Sequence, residues 1–233
     1  MYNILINVIA ENILALKEQI RQICQRLSFD FSKITIVAAS KGRSAEEIKQ
    51  VIESGIFDIG ENRIQEAKVK YTQLKEEPRI KWHMIGHLQT NKVKEAVEIF
   101  DLIHSLDSVR LAEEINKRAQ RINKVQNVLV EVKTSSEATK FGLEPKEVLT
   151  FIRQILYLPN IKIMGLMTVA PLLEDPQMSR PYFKIVRELK DEINRELSLN
   201  LEILSMGMSN DYTVALQEGT NMLRIGRRIF EKW

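Results

Sequence analysis

The sequence holds one cysteine, six prolines and nine glycines in 233 residues, and each scarcity excludes something. A lone cysteine, Cys24, rules out an intrachain disulfide framework. Its place within a helical pattern makes it a small buried hydrophobe, with nothing nearby to activate a thiolate. Sparse glycine and proline exclude fibrous and low-complexity chains. The apolar start, residues 1–16, is broken by Asn3, Asn7, Glu11 and Asn12 and lacks a basic leader, so it does not read as a signal peptide. No uncharged apolar run approaches the roughly 18 residues that a spanning helix requires, so no membrane partner is expected. Neither sign of charge dominates, with 34 basic against 31 acidic residues, and the net charge of +3 does not predict a nucleic-acid partner. A reducing, cytoplasmic location is the default expectation.

What is present is an ordinary globular composition, 44% hydrophobic and 28% charged, enough to build a sizeable core. Residues 4–27 read as an amphipathic helix with Ile13, Leu14, Leu16, Ile20, Ile23 and Leu27 along a stripe. Residues 34–39 then form a short, β-branched run suited to a buried parallel strand. Ser44 with Glu47 makes a capping-box pattern that starts a helix, and Gly55 is placed as its stop. The cycle repeats, with strands over residues 56–59, 81–85, 102–104, 128–132, 161–166, 202–204 and 222–225. Helices over residues 64–74, 91–99, 108–121, 146–156, 181–197 and 211–218, and a short piece from Arg227, separate and follow them. Eight βα units in unbroken series predict a closed (β/α)8 TIM barrel forming a single domain over residues 1–233. The extra N-terminal helix is expected to cap the barrel floor.

Sites in such barrels lie at the C-terminal ends of the strands. There the sequence places Lys41 directly after the first strand, Asn62 after the second and residues 86–92 after the third. Burial at such a position would disfavour the ammonium form of Lys41 and favour an amine nucleophile, although a lysine snorkelling at a strand end is the plainer reading. Residues 205–209 supply hydroxyls and flexible backbone, and Gly226-Arg227 supplies amides at the last helix start. Barrels often hold phosphate in these two loops, although plain glycine turns would look alike. Arg224, within the last strand, should point into the mouth and needs an acceptor there, with Glu61 or Asp211 as structural candidates. His83 and His87 lack a third ligand, so no metal is expected. His104 is open to reading as a core histidine, while residues 117–124 and the helix over 181–197 read as solvated faces.

Several of these stretches resemble one known family in order along nearly the whole chain. They are Val37 to Lys41, Gly60-Glu61-Asn62 with Gln65-Glu66, WHMIGHLQTNK over residues 82–92 and His104-Ser105. Lys140-Phe141-Gly142, Gly165-Leu166-Met167, LSMGMSND over residues 204–211 and Arg224-Ile225-Gly226 through Phe230 continue the match. On these motifs the chain resembles the pyridoxal phosphate homeostasis proteins, single-domain barrels related to the alanine racemase N-terminal domain. The resemblance implies a fold-type III barrel that holds pyridoxal 5'-phosphate as a Schiff base on Lys41. It further implies Asn62 near the ring, Arg224 facing the pyridine nitrogen, and Ser205, Ser209, Gly226 and Arg227 around the phosphate. An arginine there donates and keeps the nitrogen unprotonated, which weakens the ring as an electron sink.

Three positions depart from the family pattern: Gly42 stands where a threonine usually follows the lysine, Arg63 where an aromatic is common, and Glu231 where a glycine is usual. The implied role is maintenance of vitamin B6 and amino-acid pools without turnover, by a monomer or weak dimer, with cofactor-requiring apo-enzymes as recipients. Related racemases complete their sites with a C-terminal domain, and the sequence ends at Trp233, soon after the eighth strand. A low-activity amino-acid racemase or lyase is the alternative, and a sugar-phosphate barrel enzyme with Lys41 as Schiff-base amine a more distant one.

Overall fold

The computed structural model describes residues 2–135, 137 and 141–232, with side chains omitted over residues 2–7. Met1, Lys140 and Trp233, on which sequence readings fell, lie outside the described residues. Eight parallel strands close in sequence order: β1 (Thr35–Ala39), β2 (Asp58–Glu61), β3 (Lys81–Met84), β4 (Leu102–Leu106), β5 (Gln126–Glu131), β6 (Ile161–Met167), β7 (Ile203–Ser205) and β8 (Met222–Ile225). The helices are α1 (Tyr2–Arg26), α2 (Ala45–Glu53), α3 (Ile64–Gln73), α4 (Val93–Ile99), α5 (Val109–Arg121), α6 (Pro145–Ile155), α7 (Arg180–Leu197), α8 (Tyr212–Gln217) and α9 (Arg227–Phe230). The seam between the first and last strands is an ordinary parallel ladder, with Thr35 opposite Met222 and Val37 opposite Arg224.

Local signals place these elements. Ser44 accepts from the Glu47 amide while Glu47 accepts from the Ser44 amide, completing the expected capping box on α2. At the other end Gly55, at φ +75°, donates to Ile52, and Ile56 donates to Val51. This is a Schellman motif. It uses Ile56 to close the helix, so β2 begins at Asp58 rather than at residue 56. The shift carries Gly60 and Glu61 into the strand. In the same way β4 runs two residues beyond the expected 102–104, to Leu106, so Ser105 also lies inside the barrel wall.

The first helix does not cap the floor. It packs along the barrel's side against α2, α8 and α9. Asn12 bonds the carbonyls of Ile229 and Glu231, Lys17 those of Ser54 and Gly55, and the Tyr212 hydroxyl donates to Gln19. Its buried stripe is Ile9, Ile13, Leu16, Ile20 and Cys24, whereas Leu14, expected on that stripe, is 72% exposed. Burial of Cys24 agrees with its reading as a small hydrophobe. The two charged stretches are mostly exposed, as expected, with two side chains drawn in: Lys124 donates to the carbonyls of Val97 and Phe100 at the end of α4, and Arg187 pairs with Glu218.

Alternation along the strands divides two cores. Leu223 and Ile225 join the large core between sheet and helices. Met222 joins Val37, Leu102, Leu129 and Met167 in a small cluster inside the barrel. Two residues further along β4, β7 and β8 the lumen turns polar: His104 follows Leu102, Ser205 follows Ile203 and Arg224 follows Met222. An apolar lower layer therefore supports a polar layer directly beneath the mouth.

Candidate functional site

The polar layer is one hydrogen-bonded chain. His83 Nε2 lies 3.0 Å from Asp58 Oδ1, and His83 Nδ1 lies 3.0 Å from His104 Nε2. His104 Nδ1 lies 3.0 Å from Ser205 Oγ, which accepts from Arg224 Nη1 at 2.6 Å. Arg224 also donates from Nη1 to the Ser205 carbonyl and from Nη2 to the Thr168 carbonyl, both at 2.7 Å. The ends set the proton order, because a guanidinium only donates and a carboxylate only accepts. With Arg224 donating to Ser205 Oγ, the Ser205 proton passes to His104 Nδ1. His104 then donates from Nε2 to His83, and His83 from Nε2 to Asp58. Every proton along this order has an acceptor only when His104 is neutral. Burial, reinforced by the neighbouring His83 and Arg224, indeed pushes the His104 pKa well below the ordinary imidazole value. His104 is thus the hydrogen-bonded core histidine foreseen as one possibility.

Arg224 is buried, and burial lowers its pKa to about 10, so it remains a donor at neutral pH. It forms no salt bridge with either acid anticipated from sequence. Glu61 instead accepts from Lys70 Nζ at 2.6 Å and from Ser40 Oγ at 2.5 Å. Asp211 accepts from the Met208 amide at 2.6 Å and acts on Arg224 only through its field. Among the described residues three of the five guanidinium hydrogens are engaged, leaving Nε–H and one Nη2–H available.

Lys41 stands just beyond β1. It is exposed on a cavity wall and not buried, so the desolvation argument made from sequence does not describe it. The backbone beneath it is held firmly, because Lys70 Nζ also donates to the Ser40 carbonyl at 2.6 Å. Gly42 follows at φ +70°, with its amide donating to Glu66 Oε2 at 3.0 Å. A β-branched residue would be strained at that φ. Asn62 is exposed on the same cavity and is approached closely by Gly86, whose Cβ would lie 2.4 Å from the Asn62 carbonyl oxygen.

The two expected phosphate loops meet. Gly207, at φ +94°, lets the loop after β7 turn back over α8, where any Cβ would strike Ala215 at 2.6 Å. Ser209 Oγ accepts from the Arg228 amide at 3.4 Å, and Arg227 donates to Asn210 at 2.9 Å. Gly226 sits beside the end of β1, its Cβ position 3.3 Å from the Ala39 carbonyl oxygen, which brings this loop to the strand that leads into Lys41. Ser205 stands apart from them. It ends β7 within the lumen, fully buried, with its hydroxyl committed to His104 and Arg224, so it seats the arginine and is not free to face the loops. The third departure also has a partner, since Glu231 pairs with Arg43 at 3.0 Å. No cluster of potential metal ligands occurs among the described residues, and none of their helices is long and apolar enough to cross a membrane.

Sequence reasoning missed Lys70 and Thr168. Lys70 had a signal, because Ile64, Ala67 and Lys70 fall on one buried face of α3, where a lysine without a partner would be costly. Thr168 acts through its carbonyl, which no side-chain pattern reveals.

A lysine after the first strand, an arginine inside the eighth and joined loops after the seventh and eighth define an alanine-racemase-type barrel. The family model for the alanine racemase N-terminal domain matches residues 12–231. A pyridoxal phosphate homeostasis protein of Aquifex aeolicus is 46% identical over 213 residues, 91% of this chain and 93% of the relative. Its counterpart in a Synechocystis species is 37% identical, over 84% and 90% of the two chains. Among solved structures, PipY of Synechococcus elongatus with PLP bound superposes with a TM-score of 0.85 at 33% identity, covering 95% of this chain and 99% of PipY. A Clostridium difficile alanine racemase shares the fold at a TM-score of 0.76 and 15% identity, and this chain spans 57% of it. The chain belongs to the pyridoxal phosphate homeostasis protein family.

Proposed function

We propose that this chain is a cytoplasmic pyridoxal 5'-phosphate carrier that works as one cofactor-binding barrel domain. When bound, pyridoxal 5'-phosphate would supply an aldehyde, and the Lys41 amine is the group that would anchor it. Ser209 Oγ with the Gly226 and Arg227 amides, where two loops and a helix start converge, suits the phosphate. Asn62 stands on the cavity wall beside Lys41, where it would flank the ring. The observation that carries the reading is Arg224, a fully buried cation with two uncommitted N–H donors held in the lumen by Ser205 and Thr168. A ring nitrogen that accepts one of them stays unprotonated, so the site favours holding the cofactor over carbanion chemistry. Curated relatives covered over 90% or more of their length carry homeostasis names, which supports a role in maintaining vitamin B6 and amino-acid pools without turnover. Cofactor-requiring apo-enzymes are the recipients, served by a monomer or weak dimer.

The test is visible absorbance of the protein loaded with pyridoxal phosphate, before and after borohydride, beside Lys41→Ala. A yellow band lost on reduction, with the pyridoxyl group mapped to Lys41, is the expected result. A protein that stays colourless overturns the reading. Incubation with L-amino acids in deuterated water separates carrier from racemase: α-deuterium above the Lys41→Ala background would make the chain an enzyme.

A further inference from the structure

A cavity of about 560 Å3 opens beside Lys41, between the loops after β2 and β3. Its wall carries the cationic side chains Lys41, Arg63 and Lys92 together with His87, and among the described residues no aspartate or glutamate lines it. Arg63 occupies the N-cap position of α3 without making a side-chain cap, and neither it nor Lys92 has a hydrogen-bond or ion-pair partner among the described residues. His87 is held flat against Phe141, ring centroids 3.7 Å apart, and its Nδ1 lies 3.6 Å from Asp107 Oδ2. Glu66, whose Oε2 accepts from the Gly42 amide, and Asp107, beside His87, stand near the wall without lining it. Ile64, Met84 and Leu88 give the cavity an apolar side, while Asn62, Gln65 and Gln89 supply amides.

Concentrating three cations around one small cavity costs repulsion that an anionic occupant would relieve. The volume is far below that of a macromolecular groove, and its apolar side asks for a ligand with a short carbon body. We propose that this cavity seats the carboxylate of a small free amino acid or 2-oxo acid, with Arg63 and Lys92 as the binding pair. Arg63 supplies the planar fork that matches a carboxylate, and Lys92 the second charge. The proposal deepens the reading of Lys41 as the cofactor anchor: an amine or carbonyl held by its carboxylate would lie beside the group that holds the cofactor.

The decisive experiment titrates the cofactor-free protein with L-alanine, pyruvate, L-alaninamide and inorganic phosphate, following backbone amide shifts by NMR. Alanine or pyruvate should bind while alaninamide, lacking the carboxylate, should not. Arg63→Gln with Lys92→Gln should weaken that binding about ten-fold or more, the usual worth of a lost charge-assisted pair. Binding of alanine without pyruvate identifies the amine ligand, and the converse the carbonyl ligand. Phosphate binding as tightly as either through the same residues would overturn the carboxylate assignment, and so would affinities that the double variant leaves unchanged. Pyridoxal phosphate uptake is measured in parallel by absorbance. Uptake equal in both proteins, with carboxylate binding lost only in the variant, isolates this proposal. Absence of uptake in both defeats the carrier reading while the titration still decides the seat.

Discussion

His104 Nδ1 sits 3.0 Å from Ser205 Oγ, joining β4 to β7 across the barrel lumen. Through that bond the protonation of a histidine on one side of the barrel governs the seat of Arg224 on the other. The proton order requires His104 to stay neutral, and burial keeps it so.

This predicts acid sensitivity with a definite sign. In the unfolded chain the imidazole titrates near about 6.5, while in the fold its pKa is far lower. The unfolded state therefore binds the extra proton as pH falls through that value, and stability present above it is lost at up to about 1.4 kcal/mol per pH unit. Glu61, Asp107 and Asp211, raised by burial, act in the opposite sense, since there the folded state binds more protons. The comparison is consequently between wild type and His104→Asn in urea unfolding from about pH 7.5 to 5.5, the range that spans free imidazole. The variant should show the flatter acid limb. Parallel curves would mean that His104 does not hold its proton off.

Lys70 should be among the costliest surface-element residues to neutralise. Lys70→Met leaves Glu61 buried without its cation, at about 3–5 kcal/mol. Adding Glu61→Gln should recover most of that loss, because an amide needs no counter-ion. Denaturant midpoints of the single and double variants check both statements, and a cost below about 1 kcal/mol would show the pair to be solvated.

Gly42→Thr should destabilise the protein. The position has φ +70° and open space around it, so the cost is backbone strain of about 1–3 kcal/mol and not a clash. Gly42→Asn, better tolerated in that region, should cost clearly less. Equal melting temperatures for the two variants would refute the conformational account.

Gly86→Ala tests a clash instead. Its Cβ would meet the Asn62 carbonyl at 2.4 Å and the Asn62 Cα at 2.9 Å, and backbone on both sides cannot yield cheaply. We expect a loss of about 1–3 kcal/mol together with weaker pyridoxal phosphate uptake, because Asn62 must move. Full uptake at normal stability would show that the cavity wall is pliable.

Much of this molecule was legible in its residues. The (β/α)8 series, the Ser44 capping box, the Gly55 stop and the polar loops after β1, β2, β7 and β8 all depend on neighbours within a few positions, and short-range rules reach that far. Boundaries failed where a residue had two uses. Ile56 reads as strand but closes α2, and the fourth strand, read as ending at His104, continues through Ser105 to Leu106.

The amino-acid order by itself determined the number and type of the elements, their cyclic alternation, and the strand ends on which Lys41, Asn62, Ser209, Gly226 and Arg227 fall. Those are consequences of local periodicity, capping and turn chemistry. Only the tertiary structure decided which charges meet. Closure of the barrel brought residues 101 positions apart into the His104–Ser205 bond, turned Arg224 away from both expected acids onto two backbone carbonyls, and gave Glu61 to a lysine from α3. It also laid α1 along the seam beside α2 and α9 and not beneath the floor. Such pairings are set by strand register and by the need to satisfy every buried donor and acceptor at once, and neither is written in the spacing of residues along one segment.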